Sequence, residues 1–306
     1  MHDISGSPID LSADLLLIGK QLKQPLPSAR SLFNYSMTAI AFGLAAMALL
    51  PLLSILFDIL RQGLPHLRWE ALTSLPAPVG LEGVPNGFAN AIAGTVIMVA
   101  IASVISIPIG ILAAIYLSEF GKNRPLARSL RFIIIVLSGV PSIVVGVFAF
   151  GVIVTTMGSF SALAGGFALA VIMLPIVILA TEEALKLVPT HQRLASAAVG
   201  ANSFHTTFRV VVATALPGIT TGVLLAVARA AGETAPLLFT ALFTQNWPEG
   251  LLYPTPSLSV MIFNYASSAY VEQNQLAWSA SVILVAIVLM TSLLSRLVTT
   301  RYSKLR

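Results

Sequence analysis

Charged side chains leave long gaps in this sequence. Twenty-seven uncharged residues separate Arg30 from Asp58, 36 separate Glu82 from Glu119, 50 separate Arg131 from Glu182 and 23 separate Glu272 from Arg296. Between Arg209 and Glu249 the only charges are Arg229 and Glu233. A helix crosses a hydrocarbon core of about 30 Å with about 20 mostly apolar residues. Four of these gaps therefore predict one span each. The 50-residue gap is too long for one crossing and predicts two, with a turn near Met157-Gly158-Ser159. The expected fold class is an all-α membrane protein with six transmembrane helices. Its six-span domain covers about residues 34–300, between a tail at 1–33 and a basic tail at 301–306.

The basic residues orient these spans, because Lys and Arg near span ends mark the cytoplasmic face. Lys20, Lys23 and Arg30 precede span one, and Lys122, Arg124, Arg128 and Arg131 lie between spans two and three. Lys186, Arg193 and Arg209 lie between spans four and five, and Arg296, Arg301, Lys304 and Arg306 follow span six. An even number of spans puts both termini on one side, and both are basic, so both are expected to be cytoplasmic. The tail at 1–33 carries Asp3, Asp10 and Asp14 where a secretory signal would carry positive charge. It reads as a cytoplasmic tail with a surface helix ending before Pro25.

Composition narrows the class further. Of 306 residues, 57% are hydrophobic and 9% charged, against about 25% charged in an ordinary soluble domain. So few charges cannot coat a water-facing surface, and the high hydrophobicity excludes disorder. The absence of Cys removes disulfides, thiolate metal sites and cysteine nucleophiles. The 18 Pro are compatible with membrane helices. Pro108, Pro141 and Pro175 fall once each in spans two, three and four, and simple kinks are the expected reading, with broken helices beside a pathway as the alternative.

Two loops stand out. One, about 182–209 on the cytoplasmic side, holds small residues before Gly200 and predicts a helix, a glycine turn and a second helix. Its Glu182, Glu183 and Lys186 fit a solvated helix end or a docking patch equally well. The other, about 244–275 on the outer side, is rich in Trp, Tyr, Pro and Asn without Lys or Arg. Its aromatics suit the membrane interface, so part of it is expected to fold back there.

Arg229 and Glu233 are the sharpest candidate residues. At i, i+4 they share one face of a helix, among Ala226, Ala228, Ala230, Ala231, Gly232 and Ala235. An arginine at the centre of a membrane helix costs about 2.5–3.5 kcal/mol on insertion scales, so it persists where it faces protein or a watery path. A span five beginning near Pro217 would place Arg229 about 18 Å in, at 1.5 Å per residue, and would carry Leu237–Phe243 in the same span. The guanidinium's planar fork of donors matches tetrahedral oxyanions. Arg229 is therefore expected to line an anion route, with Glu233 holding it and yielding transiently. The alternative is a structural ion pair or an arginine reaching headgroups.

Other chemistries lack their parts. His2, His66, His191 and His205 are scattered without metal-ligand spacing. No nucleotide-cradling G-x-x-x-x-G-K-[ST] stretch, G-x-S-x-G or H-E-x-x-H occurs. Uphill transport by this chain would draw on an ion gradient or a separate ATPase.

The run Ala228-Arg229-Ala230-Ala231-Gly232-Glu233-Thr234-Ala235-Pro236-Leu237-Leu238-Phe239-Thr240-Ala241 resembles the signature of the PstA family. That family is one of two permease subunits of the bacterial phosphate-specific ABC importer. Asn90-Ala91-Ile92-Ala93-Gly94, Tyr116-Leu117-Ser118-Glu119-Phe120, Pro141-Ser142-Ile143-Val144-Val145-Gly146, Leu185-Lys186-Leu187-Val188-Pro189 and Gln275-Leu276-Ala277-Trp278 match it in order, so the resemblance covers about residues 34–300.

The resemblance implies a type I ABC importer permease fold in the bacterial inner membrane. It implies a PstC-like sister permease, an ABC ATPase dimer that uses ATP, and a periplasmic phosphate-binding protein as partners. It also implies that the loop between spans four and five docks the ATPase through an E-A-A-x-x-x-G motif, here Leu194-Ala195-Ser196 with Gly200. Leu194 replaces the family's Glu, Ser196 its second Ala, and Val212-Ala213 a later Leu-Pro. Arg229 and Glu233, with Thr234 beside them, map to residues implicated in phosphate passage. The expected function is thus a permease subunit, not an enzyme, with no cofactor, metal or nucleic acid bound by this chain and membrane lipid around it. A permease for sulfate or molybdate, or an ion-coupled secondary carrier, is the alternative.

Overall fold

The computed structural model describes residues 28–80, 83–121 and 124–304. The surface helix expected within the first 27 residues lies outside them. Packing divides the chain into a unit ending at Phe57 and a second from Asp58 to Arg306. The first unit is built on α1, the helix Ser28–Gly63, which runs on into the second unit. From Ser31 to Phe57 α1 carries no charge, as befits a helix solvated all round by apolar surroundings. It begins six residues ahead of the expected span domain.

The second unit contains the remaining helices. A short α2, Trp69–Thr73, precedes α3, Ala89–Phe120, which closes with a π turn at Tyr116–Phe120. α4, Pro125–Ser138, and α5, Ser142–Met157, follow, and α5 carries a π turn at Phe150–Val154. Gly158, at φ 71°, ends α5 as a left-handed cap where the sequence predicts a turn. α6 is Ala162–Lys186, α7 Thr190–Ala198 and α8 Ser203–Ala231. α9, Ala235–Thr240, and α10, Leu258–Ala266, are short, and α11 spans Val271–Lys304. Its backbone stays helical through residues 301–304, which the sequence reading assigns to a tail.

By length and composition, α1, α3, α6, α8 and α11 can each cross a membrane. The pair α4–α5 makes a sixth crossing if counted as one, but the two helices are bent by 105° at their junction. Pro141 stands in that junction. It breaks the span outright, which corrects the expectation of a simple kink there. Gly139 caps α4 and Pro141 caps α5, so the fixed φ and missing N–H of the proline fall at the start of a new helix. By contrast, α3 runs through Pro108 and α6 through Pro175.

A core of Met98 and Ala102 from α3, Leu169, Met173 and Val177 from α6, Ala226 and Ala230 from α8, and Leu237 from α9 holds the centre. Small residues set its closeness, since there is little hydrophobic drive between helices in lipid and backbone approach supplies the packing. Gly110 faces Val177 and Gly222 faces Ala180 at such range that no Cβ would fit without displacement.

The 244–275 loop also folds inward. Leu258, Val260 and Met261 are buried, and the Leu258 amide donates to Thr95 Oγ1 at 2.9 Å. Asn90, wholly buried, donates through Nδ2 to the carbonyls of Thr244 and Asn246 at 3.3 and 3.1 Å. Trp247, Tyr253 and Tyr270 are exposed, whereas α10 in the heart of the loop packs into the core. Buried backbone needs partners, and the Asn90 and Thr95 side chains of α3 supply them.

Candidate functional site

The first candidate site forms where α8 ends. α8 runs unbroken through Pro217 to Ala231 and is capped at Gly232. This corrects the expected start near Pro217: Arg229 lies in the last turn of a 29-residue helix. Leu237 belongs to a separate helix of six residues, α9, so the expected continuation to Phe243 in one span does not occur. α8 runs on through Pro217, and Thr221 Oγ1 donates back to the Pro217 carbonyl at 2.9 Å.

Glu233 therefore follows the helix that carries Arg229 and does not share its face. The two are joined across the turn, Arg229 Nε to Glu233 Oε1 at 3.6 Å. The Arg229 side chain is 62% exposed on this chain, whereas that of Glu233 is 17% exposed. The Glu233 carbonyl accepts from Ser259 Oγ of α10 at 2.8 Å. Thr234 precedes α9 and its carbonyl accepts from the amides of Leu237 and Leu238. The backbone of the acid is thus held to α10, while the arginine side chain is the more exposed of the two.

Arg229 lines a cavity of about 320 Å³. Its wall includes the α4–α5 break, from Leu137 to Ser142, and Val171, Ile172 and Pro175 of α6. Among the described residues on that wall, Arg229 is the one charged group. α5 reaches the site because Gly146 lets it touch Pro236: a Cβ there would lie 2.7 Å from the Pro236 Cα. Two of the three span prolines, Pro141 and Pro175, meet at this cavity. The wall brings together one cation, the Ser142 hydroxyl and the Ser138 hydroxyl, the last of which donates to Ile135 O at 2.7 Å.

The second candidate site is the segment around Gly200. α7, a glycine turn and the start of α8 form the expected helix–turn–helix. Gly200 has φ +81° and donates its amide to Ala197 O at 3.0 Å, a left-handed closure that glycine adopts without a Cβ penalty. Asn202 Oδ1 caps the next helix by accepting from the His205 amide at 2.8 Å. Ser196 Oγ and Thr206 Oγ1 meet at 2.9 Å and tie α7 to α8. Leu194 and Val199 are 65% and 84% exposed, an apolar outer face. Ala195 lies on α7 between Leu194 and Ser196.

Beneath this loop is an ion-pair cluster that periodicity cannot reveal. Arg193 of α7 grips Glu119 of α3 with two bonds, Nη2 to Oε1 at 2.8 Å and Nε to Oε2 at 3.3 Å. Arg131 of α4 pairs with Glu182 of α6 at 2.7 Å and donates to Leu117 O at 3.0 Å. Glu182 is 3% exposed, which corrects its reading as part of a solvated helix end. Glu183 and Lys186 remain outside, paired at 2.9 Å. The sequence separations, 74 residues for Arg193 and Glu119, leave no local signal; the one clue is that these charges flank the apolar gaps.

Helices of this length around a broken third span, with a helix–turn–helix projecting between α6 and α8, form the type I ABC importer permease fold. The crystal structure of a bacterial alginate ABC transporter, in complex with alginate pentasaccharide-bound periplasmic protein, has a chain that aligns with a TM-score of 0.61. That match covers 87% of this chain and 96% of that one at 14% identity. Residues 106–304 match the family of binding-protein-dependent transport system inner membrane components, and the chain belongs to it. The phosphate transport system permease protein PstA of Yersinia pestis is 41% identical over 263 residues, covering 86% of this chain and 87% of that protein. PstA of Pasteurella multocida is 37% identical over 276 residues, covering 90% and 97%. The chain is a multi-pass membrane permease subunit and not an enzyme.

Proposed function

We propose that this chain is the PstA-type permease subunit of an ATP-driven phosphate importer in the bacterial inner membrane. It forms half of the translocation pathway beside a PstC-like sister. A periplasmic phosphate-binding protein delivers the anion, and an ABC ATPase dimer docks on the Leu194–Gly200 segment and uses ATP; this chain binds no cofactor. Both termini are cytoplasmic, on the side of the Gly200 loop. Phosphate passes Arg229, with Glu233 and Thr234 behind it, held weakly enough to leave.

The observation that carries this reading is the Arg229 cavity: a cation, exposed on this chain, facing a pocket built on a broken span. The naming of its relatives as phosphate permeases supports the choice of anion. The test is ATP-driven uptake of labelled phosphate by the assembled complex in proteoliposomes, with sulfate and molybdate as competitors. Phosphate should be carried preferentially, and Arg229→Gln should lower uptake about tenfold or more, the scale for loss of a charge-assisted contact of about 1.5–3 kcal/mol, without loss of assembly. Preferential sulfate or molybdate uptake would overturn the anion assignment, and normal uptake by Arg229→Gln would remove Arg229 from the pathway.

A further inference from the structure

We propose that Arg193 is the positioning residue through which the ATPase-facing loop moves the spans. This rests on the permease reading above.

The argument begins with direction. α7 turns Leu194 and Val199 outward, apolar and exposed. Its one arginine turns inward, toward the Glu119 carboxylate of α3. The Arg193 side chain is 19% exposed and the carboxylate it meets, Glu119, 9%.

The guanidinium joins three elements. Nη2 and Nε hold the Glu119 carboxylate of α3. Nη2 also donates to Leu185 O at 3.0 Å, and Nη1 to Val188 O, at the end of α6. A planar fork engaged at both ends resists rotation as well as separation, unlike the point charge of a lysine. A displacement of α7 therefore reaches α3 and α6 together.

The receiving element is suited to the task. Glu119 lies in the π turn at Tyr116–Phe120, and Leu117 in the same turn accepts from Arg131 of α4. π turns insert an extra residue into a helix and often mark functional sites. Arg131 continues to Glu182 of α6. Two arginines thus bind α3, α4, α6 and α7 around one irregular turn, and α4 leads directly into the break at the Arg229 cavity. Motion of rigid elements about such a joint is a known route of transporter switching.

The experiment uses the assembled importer, reconstituted, with Arg193→Gln, Arg193→Lys and Glu119→Gln. Two ratios are read: phosphate moved per ATP hydrolysed, and the change that ATP with vanadate produces in thiol labelling of a Ser138→Cys reporter. Ser138 lines the cavity and this chain has no other Cys, so label read on this chain's own band, after the subunits are separated, reports on one place. Arg193→Gln and Glu119→Gln should keep ATP hydrolysis near the wild-type rate while both ratios fall about tenfold, within the usual range of coupling between sites. Arg193→Lys, which keeps the charge and loses the fork, should fall between them and wild type. Unchanged ratios in Arg193→Gln would overturn the proposal. So would loss of hydrolysis and assembly in step across all three variants, which is the behaviour of a structural staple. The labelling response needs no substrate, so it decides on Arg193 even if the wild-type complex carries no phosphate and the anion assignment fails.

Discussion

Arg229 and Glu233 meet across the end of a helix, Nε to Oε1 at 3.6 Å, with the arginine exposed on this chain and the acid half-buried. Their unequal settings assign unequal roles. Glu233 is fixed through its own backbone to Ser259, whereas Arg229 projects at the cavity wall. The pair is long and its cation exposed, so it should contribute little more than the about 0–1 kcal/mol of a surface pair.

Glu233→Gln should therefore leave the melting temperature of the complex close to wild type. Its effect should appear in transport. With no carboxylate to compete, Arg229 should hold the anion longer, and uptake should fall by less than in Arg229→Gln. Stopped-flow or filter uptake beside a thermal melt separates the two. A large drop in melting temperature with unchanged uptake would make the pair structural.

Gly146 sets how close α5 comes to this site. An alanine Cβ there would lie 2.7 Å from the Pro236 Cα, which is backbone and cannot step aside by rotation. Overpacking of this kind costs about 1–3 kcal/mol. Gly146→Ala should lower the melting temperature of the purified complex and reduce uptake together, because the displaced wall is also the cavity wall. Wild-type melting and uptake would show that α5 has room the packing denies it.

The span pattern was legible because a charge gap is a direct record of what lipid excludes. Ser31–Phe57 and the Gly158 turn follow from it without further information. A gap records apolarity, however, and not direction, so the 105° bend between α4 and α5 left only Pro141 as a trace, no different in sequence from Pro175, through which α6 runs on. Arg229 and Glu233 were found by helical spacing although Glu233 is beyond the helix, since the turn after Gly232 keeps them within reach. Arg193 counted only as a marker of sidedness. Its partner is 74 residues away, and long-range pairing leaves no imprint on local periodicity.

Gly200 offers a graded test of the docking loop. Its φ is +81°, and nothing lies within 4 Å of the position a Cβ would take. Any penalty on substitution is therefore backbone strain, about 1–2 kcal/mol for an ordinary L-residue, with asparagine tolerated better. Recovery of the ATPase on co-purification should fall in the order Gly, Asn, Ala, Val at position 200. Equal recovery for Ala and Gly would show that the turn does not set the loop's docking shape.

Glu182 is the hub of the second ion cluster, and its variants should be non-additive. It is 3% exposed and faces two cations, Arg131 at 2.7 Å and Lys186 at 3.2 Å. Removing its charge by Glu182→Gln leaves Arg131 without its acidic partner, while Lys186 keeps Glu183 at 2.9 Å, and should cost about 1–3 kcal/mol. Arg131→Met removes one of the two cations and leaves Glu182 still paired with Lys186, so it should cost less. Once the acid is neutral, removing Arg131 no longer breaks an ion pair, so the double variant should be little worse than Glu182→Gln alone. Groups that share one network couple by about 0.5–3 kcal/mol, which a thermal or denaturant melt of the four proteins resolves. Simple addition of the two single costs would mean that Arg131 acts through its bond to Leu117 O and not through Glu182.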